Sequence, residues 1–302
     1  MKGNEKMKEY YDVIIIGSGI AGMTAAIYLK RSGIDTLIIE ENAPGGQLNK
    51  INSIENYPGF IKTDGPTFAA ELFSQVRNLD IDYLFDRVVN TDLIGNDKKI
   101  ETEEMTIHCK YVIIATGRTT RKLFDNDDRY IGKGISYCAL CDGNLYKNKN
   151  VIVVGGGNSA LEEALYLSNI CKKVVVLIRG DKFKGEQTLI NQVKNKKNIN
   201  CMYNSNISEY NIKNNKLVSI KLDNGNILDT DGLFISIGSV PSAKIFDVEK
   251  EKGFIIVDNN CMTNIKNVYA IGDVIKKKVY QLTTATADGT IAAYSIIQKN
   301  KK

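Results

Sequence analysis

The stretch DVIIIGSGIAG, residues 12–22, decides the fold of this chain. Its run of branched apolar residues, Val13–Ile16, predicts a strand buried in a parallel sheet. Glycines follow at positions 17, 19 and 22, and alanine and leucine at helical spacing then predict a helix over Met23–Lys30. A second apolar run, Thr36–Ile39, predicts another strand and ends at Glu40. The order strand, glycine turn, helix, strand and acid predicts a βαβ unit.

The residue types in this unit match one kind of ligand. Gly17, Gly19 and Gly22 permit a tight turn and let the backbone approach a pyrophosphate at the helix N-terminus. Glu40 stands where a carboxylate can accept hydrogen bonds from an adenosine ribose. Because all five elements are present in the expected order, we expect a dinucleotide to bind here.

The same unit recurs in the middle of the chain. An apolar run over Val151–Val154 predicts its first strand, the helix follows over Leu161–Asn169, and Val174–Ile178 predicts the second strand. The turn between them consists of Gly155, Gly156, Gly157, Asn158, Ser159 and Ala160. Arg179 stands where the first unit has Glu40, and an arginine favours a ribose 2′-phosphate that a carboxylate would repel. The first site therefore suits FAD or NAD and the second suits NADP, which together indicate a flavoprotein that exchanges electrons with a nicotinamide.

A pair of cysteines lies just ahead of the second unit. Cys138 and Cys141 have the spacing of a redox dithiol, and the adjacent Asp142 is a candidate for its acid–base chemistry because no histidine is nearby. The alternative is half of a zinc site, but the other cysteines, Cys109, Cys171, Cys201 and Cys261, are scattered singly along the chain. His108 is the one histidine, and its alternating segment predicts a structural role. We predict no metal site.

Composition and charge limit the remaining possibilities. A chain of 302 residues suits two domains, and it contains no run of about 20 apolar residues that would span a membrane. Its charged N-terminus predicts no signal peptide, so we expect a cytoplasmic protein. The net charge of +5 does not by itself indicate nucleic acid binding. Residues 118–244 carry 19 basic and 12 acidic residues, which predicts either a solvated surface or an anionic ligand or partner.

Further motifs give the chain a family resemblance. They are GGQL at 45–48, IENYPG at 54–59, ATG at 115–117, CALCDG at 138–143 and GDV at 272–274. With the two glycine turns, these motifs resemble those of the low-molecular-weight bacterial thioredoxin reductases, and the match extends over nearly the whole chain. The resemblance implies an α/β fold of two doubly wound Rossmann-like domains. The nicotinamide domain, residues 118–244, would be inserted into an FAD domain formed by residues 1–117 and 245–302.

The resemblance also implies site residues and partners. FAD would bind to Gly17, Gly19, Gly22, Glu40, Gly46, Gln47, Asn56, Gly117, Gly272, Asp273 and Gln281. The nicotinamide nucleotide would bind to Gly155, Gly157, Asn158, Ser159, Ala160, Arg179 and Lys184. By the same resemblance Cys141 faces the flavin, Cys138 attacks the disulfide of thioredoxin and Asp142 handles protons. Family members are homodimers, and their inserted domain rotates to present the disulfide and the nicotinamide to the flavin in turn.

Two departures leave the electron donor open. The family motif H-R-R-x-x-x-R aligns with residues 178–184, where Gly180 replaces the second arginine and Lys184 the third. Tyr280 replaces the family arginine that precedes Gln281. We expect NADPH to be preferred with reduced discrimination, and NADH, dual specificity or reduced ferredoxin are the alternatives. A dithiol oxidase of the same fold and a non-enzymatic nucleotide-sensing module also remain as alternatives.

Overall fold

The stretch at residues 12–22 forms the beginning of a parallel sheet. The computed structural model describes residues 7–51 and 53–300. In it β1 (Tyr10–Ile16) lies beside β2 (Thr36–Glu40) with Val13 opposite Thr36. Between them α1 (Ile20–Arg31) begins earlier than predicted, because Gly19 is its extended N-cap and the last glycine of the turn is already helical. The predicted strand, helix and strand are confirmed.

The chain continues through a helix and a set of strands that extend this sheet. In order these are α2 (Gly65–Asn78), β3 (Asp82–Phe85), β4 (Val88–Asp92), β5 (Lys98–Thr102), β6 (Thr106–Ile114) and the short β7 (Arg118–Thr120). The helix α2 begins after Asp64, whose carboxylate accepts a hydrogen bond from the Thr67 N–H at 2.8 Å. The long strand β6 pairs in parallel with β1 and, at its N-terminal end, antiparallel with β5.

The middle of the chain forms a second sheet. Its elements are β8 (Ile135–Ser136), α3 (Ala139–Asp142), β9 (Asn150–Val154), α4 (Asn158–Ser168), β10 (Lys173–Leu177), α5 (Gln187–Asn195), β11 (Ile199–Met202), β12 (Ile207–Lys213), β13 (Lys216–Leu222), β14 (Ile227–Asp229) and β15 (Gly232–Ile235). Five strands are parallel in the order β11-β10-β9-β15-β8. The other three, β12-β13-β14, form an antiparallel sheet.

The C-terminal part of the chain completes the first sheet. It contains β16 (Ser239–Pro241), β17 (Lys250–Glu251), β18 (Phe254–Ile255), β19 (Val268–Ala270) and α6 (Leu282–Asn300). The strand β19 pairs in parallel with β6, so the first sheet has seven strands. The helices α1 and α6 pack closely at Gly289, where a Cβ atom would lie 2.4 Å from the carbonyl oxygen of Ala21.

The contacts divide the chain into two units. Unit 1 contains residues 1–50, 57–119 and 240–302, and unit 2 contains residues 51–56 and 120–239. Apolar side chains such as Ile14, Ile114 and Phe246 form the core of unit 1, whereas Val153, Leu167 and Phe234 belong to the core of unit 2. The predicted α/β class with two Rossmann-like parallel sheets is confirmed, and the antiparallel strands β4 and β5 extend the first of them. Among the described helices none is both long and apolar enough to cross a bilayer.

Candidate active site

The two cysteines of the CALCDG motif are joined in a disulfide. Cys138 and Cys141 lie with their Cα atoms 5.3 Å apart, and Cys138 is the N-cap of the single-turn helix α3. The Cys141 N–H donates a hydrogen bond to the Cys138 sulfur at 3.2 Å. Ala139 is fully buried beneath this turn, whereas Leu140 is half exposed. The turn is therefore anchored on one side and exposed on the other.

The aspartate that follows the dithiol is buried. Asp142 is only 8% exposed, and its Oδ2 atom accepts a hydrogen bond from the Ser136 hydroxyl at 2.7 Å. Its other oxygen, Oδ1, is buried without a hydrogen-bond partner among the described residues. Burial raises the pKa of the Asp142 carboxyl, and the Ser136 hydrogen bond opposes this only in part. This side chain therefore holds a proton more readily than an exposed aspartate and suits proton transfer.

Sequence reasoning missed the serine that connects these groups. The fully buried Ser136 hydroxyl donates to Asp142 and accepts a hydrogen bond from the Cys138 N–H at 3.1 Å. One hydroxyl group thus links the carboxyl to the main chain of the first cysteine. Its position two residues before the dithiol, on the last residue of β8, was the available signal.

The first glycine turn brings several predicted residues together. Gly17 has φ +106°, and a Cβ atom on it would lie 2.5 Å from the carbonyl oxygen of Ala115. A Cβ atom on Gly22 would lie 2.1 Å from the Gly17 carbonyl oxygen, so that position tolerates only glycine. Gly19, in contrast, faces open space, and Gly46 approaches it closely enough that its Cβ atom would lie 3.5 Å from the Gly19 Cα atom. The result is a bare backbone surface at the N-terminus of α1, where no side chain caps the helix.

Glu40 lies beside this turn, at the end of β2. Its Oε2 atom accepts hydrogen bonds from the Ser18 N–H at 2.8 Å and the Ser18 hydroxyl at 3.0 Å. Its Oε1 atom accepts one from the Asn42 N–H at 2.9 Å. The Tyr83 hydroxyl in turn donates to the Ser18 hydroxyl at 2.8 Å. The carboxylate is thus held at the turn by its neighbours, and Ser18 and Tyr83 are supporting residues that the sequence did not single out.

A charged cluster surrounds Asp273. The Arg118 Nε atom lies 3.2 Å from its Oδ2 atom, and the Lys277 Nζ atom lies 3.7 Å from its Oδ1 atom. The Gln47 amide donates to the Arg118 carbonyl oxygen at 3.1 Å, and the Arg118 guanidinium lies 4.3 Å from the centre of the Tyr280 ring. Through Arg118, which follows Gly117 directly, the structure brings Gln47, Asp273 and Tyr280 together.

Four residues of the predicted FAD set remain to be placed. Gly117 and Gly272 have φ +65° and +74°, which favour glycine at both positions. The Gln281 N–H donates to the Thr284 hydroxyl at 3.1 Å just before α6. Asn56 is exposed and is grouped with unit 2, whereas the other residues predicted to bind FAD belong to unit 1.

The second glycine turn repeats the geometry of the first. Gly155 has φ +148°, and its Cβ atom would lie 2.3 Å from the Ser236 carbonyl oxygen. Gly157 is the N-cap of α4 and faces open space, as Gly19 does in the first turn. Ala160 is fully buried, whereas Ser159 is exposed. This turn also leaves a helix N-terminus without a side-chain cap.

The polar residues around this turn differ in their hydrogen bonds and in their exposure. The side-chain amide nitrogen of Asn158 donates a hydrogen bond to the Glu186 carboxylate at 2.9 Å, and its Oδ1 atom accepts one from the Glu186 backbone N–H at 2.7 Å. Arg179 is exposed just after β10. Lys184 is also exposed, and its N–H donates to the Gly156 carbonyl oxygen at 2.7 Å. This backbone hydrogen bond ties the cationic segment to the turn, while the Asn158 amide is occupied by an acidic neighbour.

The remaining thiols and the histidine lie apart in the fold. Burial raises the pKa of Cys109 and that of Cys261 to about 12, and it raises the pKa of Cys171 to about 11. Burial also raises the pKa of the half-buried Cys201. The His108 imidazole pairs with Asp97 at 2.8 Å at the surface. Within residues 7–51 and 53–300, no group of three or more metal-ligating side chains is found.

Comparison with known proteins places this geometry in a family. The sequence model of the pyridine nucleotide-disulphide oxidoreductase family matches residues 11–289 of this chain. A thioredoxin reductase from Ureaplasma parvum is 39% identical over 298 residues, which are 95% of this chain and 96% of that protein. The chain belongs to the low-molecular-weight thioredoxin reductase family. The predicted family and its redox-active disulfide are thus confirmed.

Solved structures of this family extend the comparison. The crystal structure of thioredoxin reductase from Streptococcus pyogenes has a TM-score of 0.91 at 35% identity and covers 98% of this chain and 99% of its own. A ferredoxin-flavin thioredoxin reductase from Clostridium acetobutylicum has a TM-score of 0.54 at 29% identity and covers 97% of this chain and 98% of its own. The second of these proteins is thus named for a ferredoxin donor, whereas the first is named only as a thioredoxin reductase.

Proposed function

We propose that this protein is a cytoplasmic, homodimeric thioredoxin reductase that passes electrons from NADPH through FAD and the Cys138–Cys141 disulfide to thioredoxin. The observation that carries the proposal is the disulfide closed across one turn, followed along the chain by a second glycine turn, in a chain that the family covers almost completely. In this proposal unit 1 binds FAD, and unit 2 binds the nicotinamide nucleotide and carries the dithiol.

The residues of unit 1 fit FAD. The bare backbone of Gly17, Gly19 and Gly46 accommodates a pyrophosphate, and Glu40 offers a carboxylate for ribose hydroxyls. Asp273 would hold the ribityl chain and Gln281 would lie near the flavin ring. The remaining candidates are Gly22, Gln47, Gly117 and Gly272, together with Asn56, which the contacts group with unit 2. FAD, when bound, accepts two electrons from the nicotinamide and releases them to a disulfide.

The residues of unit 2 fit a nicotinamide dinucleotide. Gly155 and Gly157 form a second open turn, and Ala160 packs beneath it. Arg179 and Lys184 are exposed cations at the positions that favour a 2′-phosphate, while Gly180 adds none. Asn158 and Ser159 complete the proposed set. One arginine fork and one lysine support NADPH over NADH, with less discrimination than a site with three arginines would have.

The roles of the two cysteines and of Asp142 are assigned by analogy with the family. Cys138 would attack the thioredoxin disulfide, Cys141 would receive electrons from the flavin, and Asp142 would exchange the proton. The buried Asp142 carboxyl, with its raised pKa, supports the third role. In the exchange the Cys138 thiolate would attack the thioredoxin disulfide, which breaks that bond, forms a mixed disulfide and releases one thioredoxin thiol. The Cys141 thiolate would then attack the Cys138 sulfur, which forms the Cys138–Cys141 disulfide again and releases the second thioredoxin thiol.

Replacing Arg179 with alanine tests the nucleotide site. Loss of one charge-assisted hydrogen bond weakens binding by about 1.5–3 kcal/mol, so we expect the KM for NADPH to rise about tenfold or more. The KM for NADH should stay within about twofold, because NADH has no phosphate for Arg179 to bind. Steady-state kinetics with both nucleotides measure this, with Lys182→Ala as the matched control at a neighbouring exposed cation. Equal losses with NADPH and NADH would contradict the assignment.

A second candidate donor is reduced ferredoxin. The excess of basic residues in 118–244, the loss of an arginine at Gly180 and the similarity to the Clostridium acetobutylicum enzyme favour it. Anaerobic stopped-flow reduction of the flavin by NADPH, NADH and reduced ferredoxin, side by side, distinguishes the donors. We expect NADPH to be fastest. Comparable kcat/KM values for NADPH and NADH, or faster reduction by ferredoxin, would contradict the NADPH proposal.

Stopped-flow mixing also tests which electron acceptor the protein uses, and light scattering tests its oligomeric state. Reduced flavin should be reoxidised by thioredoxin far faster than by air, whereas a dithiol oxidase would show the reverse. Light scattering of the purified protein should give the mass of two chains of 302 residues. A colourless protein without a reducible disulfide would favour the non-enzymatic alternative.

A further inference from the structure

A second buried carboxylate lies near the dithiol in unit 2. Asp127, in the short 3-10 turn Asp127–Tyr130, has no exposed side-chain surface. Its Oδ2 atom accepts hydrogen bonds from the Leu123 N–H at 2.8 Å and the Tyr137 hydroxyl at 2.7 Å. Its Oδ1 atom accepts them from the Phe124 N–H at 3.2 Å and the Tyr210 hydroxyl at 2.9 Å. Each oxygen is therefore satisfied by one amide and one phenol, all of them uncharged donors.

One of these phenols belongs to the residue that precedes the dithiol. Tyr137 directly precedes Cys138 in the chain. Ser136, which precedes Tyr137, donates a hydrogen bond to the other buried carboxylate, that of Asp142. Both residues that lead into the first cysteine are thus fixed through their side chains by buried aspartates. The strand β8, which ends at Ser136, contains only two residues, which pair with β15.

The other phenol connects this segment to the antiparallel sheet of the same unit. Tyr210 lies on β12, which pairs with β13 in the antiparallel sheet. The Phe124 ring packs edge-on against the Tyr210 ring, with 4.8 Å between their centres. Asp127 therefore ties the main chain ahead of Cys138 to that sheet through a network of four hydrogen bonds.

We propose that Asp127 is a positioning residue for the redox disulfide, acting through Tyr137 on the main chain that carries Cys138. A disulfide forms more readily when its two thiols are held close together, because ordering the chain raises their effective concentration. A looser segment before Cys138 lowers that concentration and leaves the disulfide easier to reduce. The network thus helps to set how oxidising the Cys138–Cys141 pair is, separately from the flavin and from the electron donor.

The two tyrosines provide a matched test. Tyr137→Phe and Tyr210→Phe each remove one hydroxyl from the same carboxylate, but only Tyr137 adjoins the dithiol. The holoenzyme of each variant is equilibrated in glutathione redox buffers, in which two glutathione thiols give two electrons and two protons to the disulfide and become oxidised glutathione. After acid quenching and alkylation, peptide mass spectrometry gives the fraction of Cys138 and Cys141 that is reduced.

We expect Tyr137→Phe to lower the equilibrium constant for disulfide formation about threefold, because most of the free energy of this one hydrogen bond serves to order the chain ahead of Cys138 in the disulfide state. We expect Tyr210→Phe to leave this constant at the wild-type value, while both variants lower the thermal midpoint of unfolding similarly. Equal shifts of the redox equilibrium in the two variants, or no shift in Tyr137→Phe, would overturn the proposal.

Asp127→Asn adds a second arm. It should shift the redox equilibrium in the same direction as Tyr137→Phe and at least as far, because it weakens both phenol contacts and both amide contacts. A folded Asp127→Asn protein with the wild-type equilibrium would overturn the proposal. If this variant does not fold, the two tyrosine variants decide the question alone.

Discussion

Replacing Cys138 with serine is expected to abolish reduction of thioredoxin while leaving reduction of the flavin by NADPH intact. Serine cannot form a disulfide, so electrons that reach the flavin have no path to the partner. The two half-reactions are measured separately: anaerobic bleaching of the flavin absorbance on mixing with NADPH, and insulin or dye reduction through thioredoxin in the steady state. Turnover of thioredoxin by Cys138→Ser would refute the proposed path of electrons.

The division of labour between the two cysteines needs a further comparison, since both are half-buried and exposure does not distinguish them. A thioredoxin with one active-site cysteine, carried as a mixed disulfide with thionitrobenzoate, reports the attacking thiolate. Attack forms the bond between the two proteins and releases yellow thionitrobenzoate. Cys141→Ser, which keeps Cys138, should react at least about tenfold faster than Cys138→Ser. The reverse order would exchange the two roles. Cys201→Ser, at a half-buried cysteine outside the pair, serves as the control.

Replacing Asp142 with asparagine should have the next largest effect on activity. Positioned acid–base groups contribute about 10²–10⁴-fold to rate, and asparagine cannot exchange a proton. We therefore expect the transfer of electrons from the dithiol to thioredoxin to slow by a factor in that range, with the pH dependence of that step flattened. The Ser136 hydrogen bond should survive, because the asparagine carbonyl oxygen can accept it. Asp128→Asn, at an exposed acid paired with Lys122, should leave the rate unchanged.

The same substitution should stabilise the fold. Burial raises the pKa of Asp142 above its ordinary value of 3.8, so the folded protein keeps a proton that the unfolded chain releases. Asp142 therefore favours folding below that ordinary value, and this contribution is lost as the pH rises through the raised pKa. Asparagine stays uncharged throughout. Urea unfolding should thus give Asp142→Asn a higher free energy of unfolding than the wild type at about pH 8, with a difference that shrinks as the pH falls through the raised pKa. A difference that grows as the pH falls would contradict the direction of the pKa shift.

The sequence predicted those parts of the molecule that depend on local spacing. Each of the two glycine turns, at Gly17 and at Gly155, is formed by a short stretch of chain, and so is the disulfide between Cys138 and Cys141. Their residue types and spacing were therefore sufficient to predict them. The start of α1 was predicted too late because glycine inside a helical turn carries little helical signal.

The contacts that join distant segments could not be predicted in this way. Arg118 and Asp273 are 155 residues apart, and Tyr210 and Asp127 are 83 apart, so neither contact leaves a periodic signal in the sequence. Asn158 presents the opposite case. Its place in a glycine turn predicted a nucleotide contact, and nothing in that motif indicated that Glu186 would occupy both ends of its amide.

The burial of three cysteines outside the redox pair has a consequence for the protein in an oxidising cell. A reductase meets disulfide partners at every turnover, and any accessible thiolate on its surface could be drawn into mixed disulfides with them. Cys109, Cys171 and Cys261 are shielded and, with pKa values of about 11 to 12, remain protonated at neutral pH. Oxidation of these three thiols is therefore disfavoured, which leaves the Cys138–Cys141 pair and the half-buried Cys201 as the less shielded sulfur atoms among the described residues.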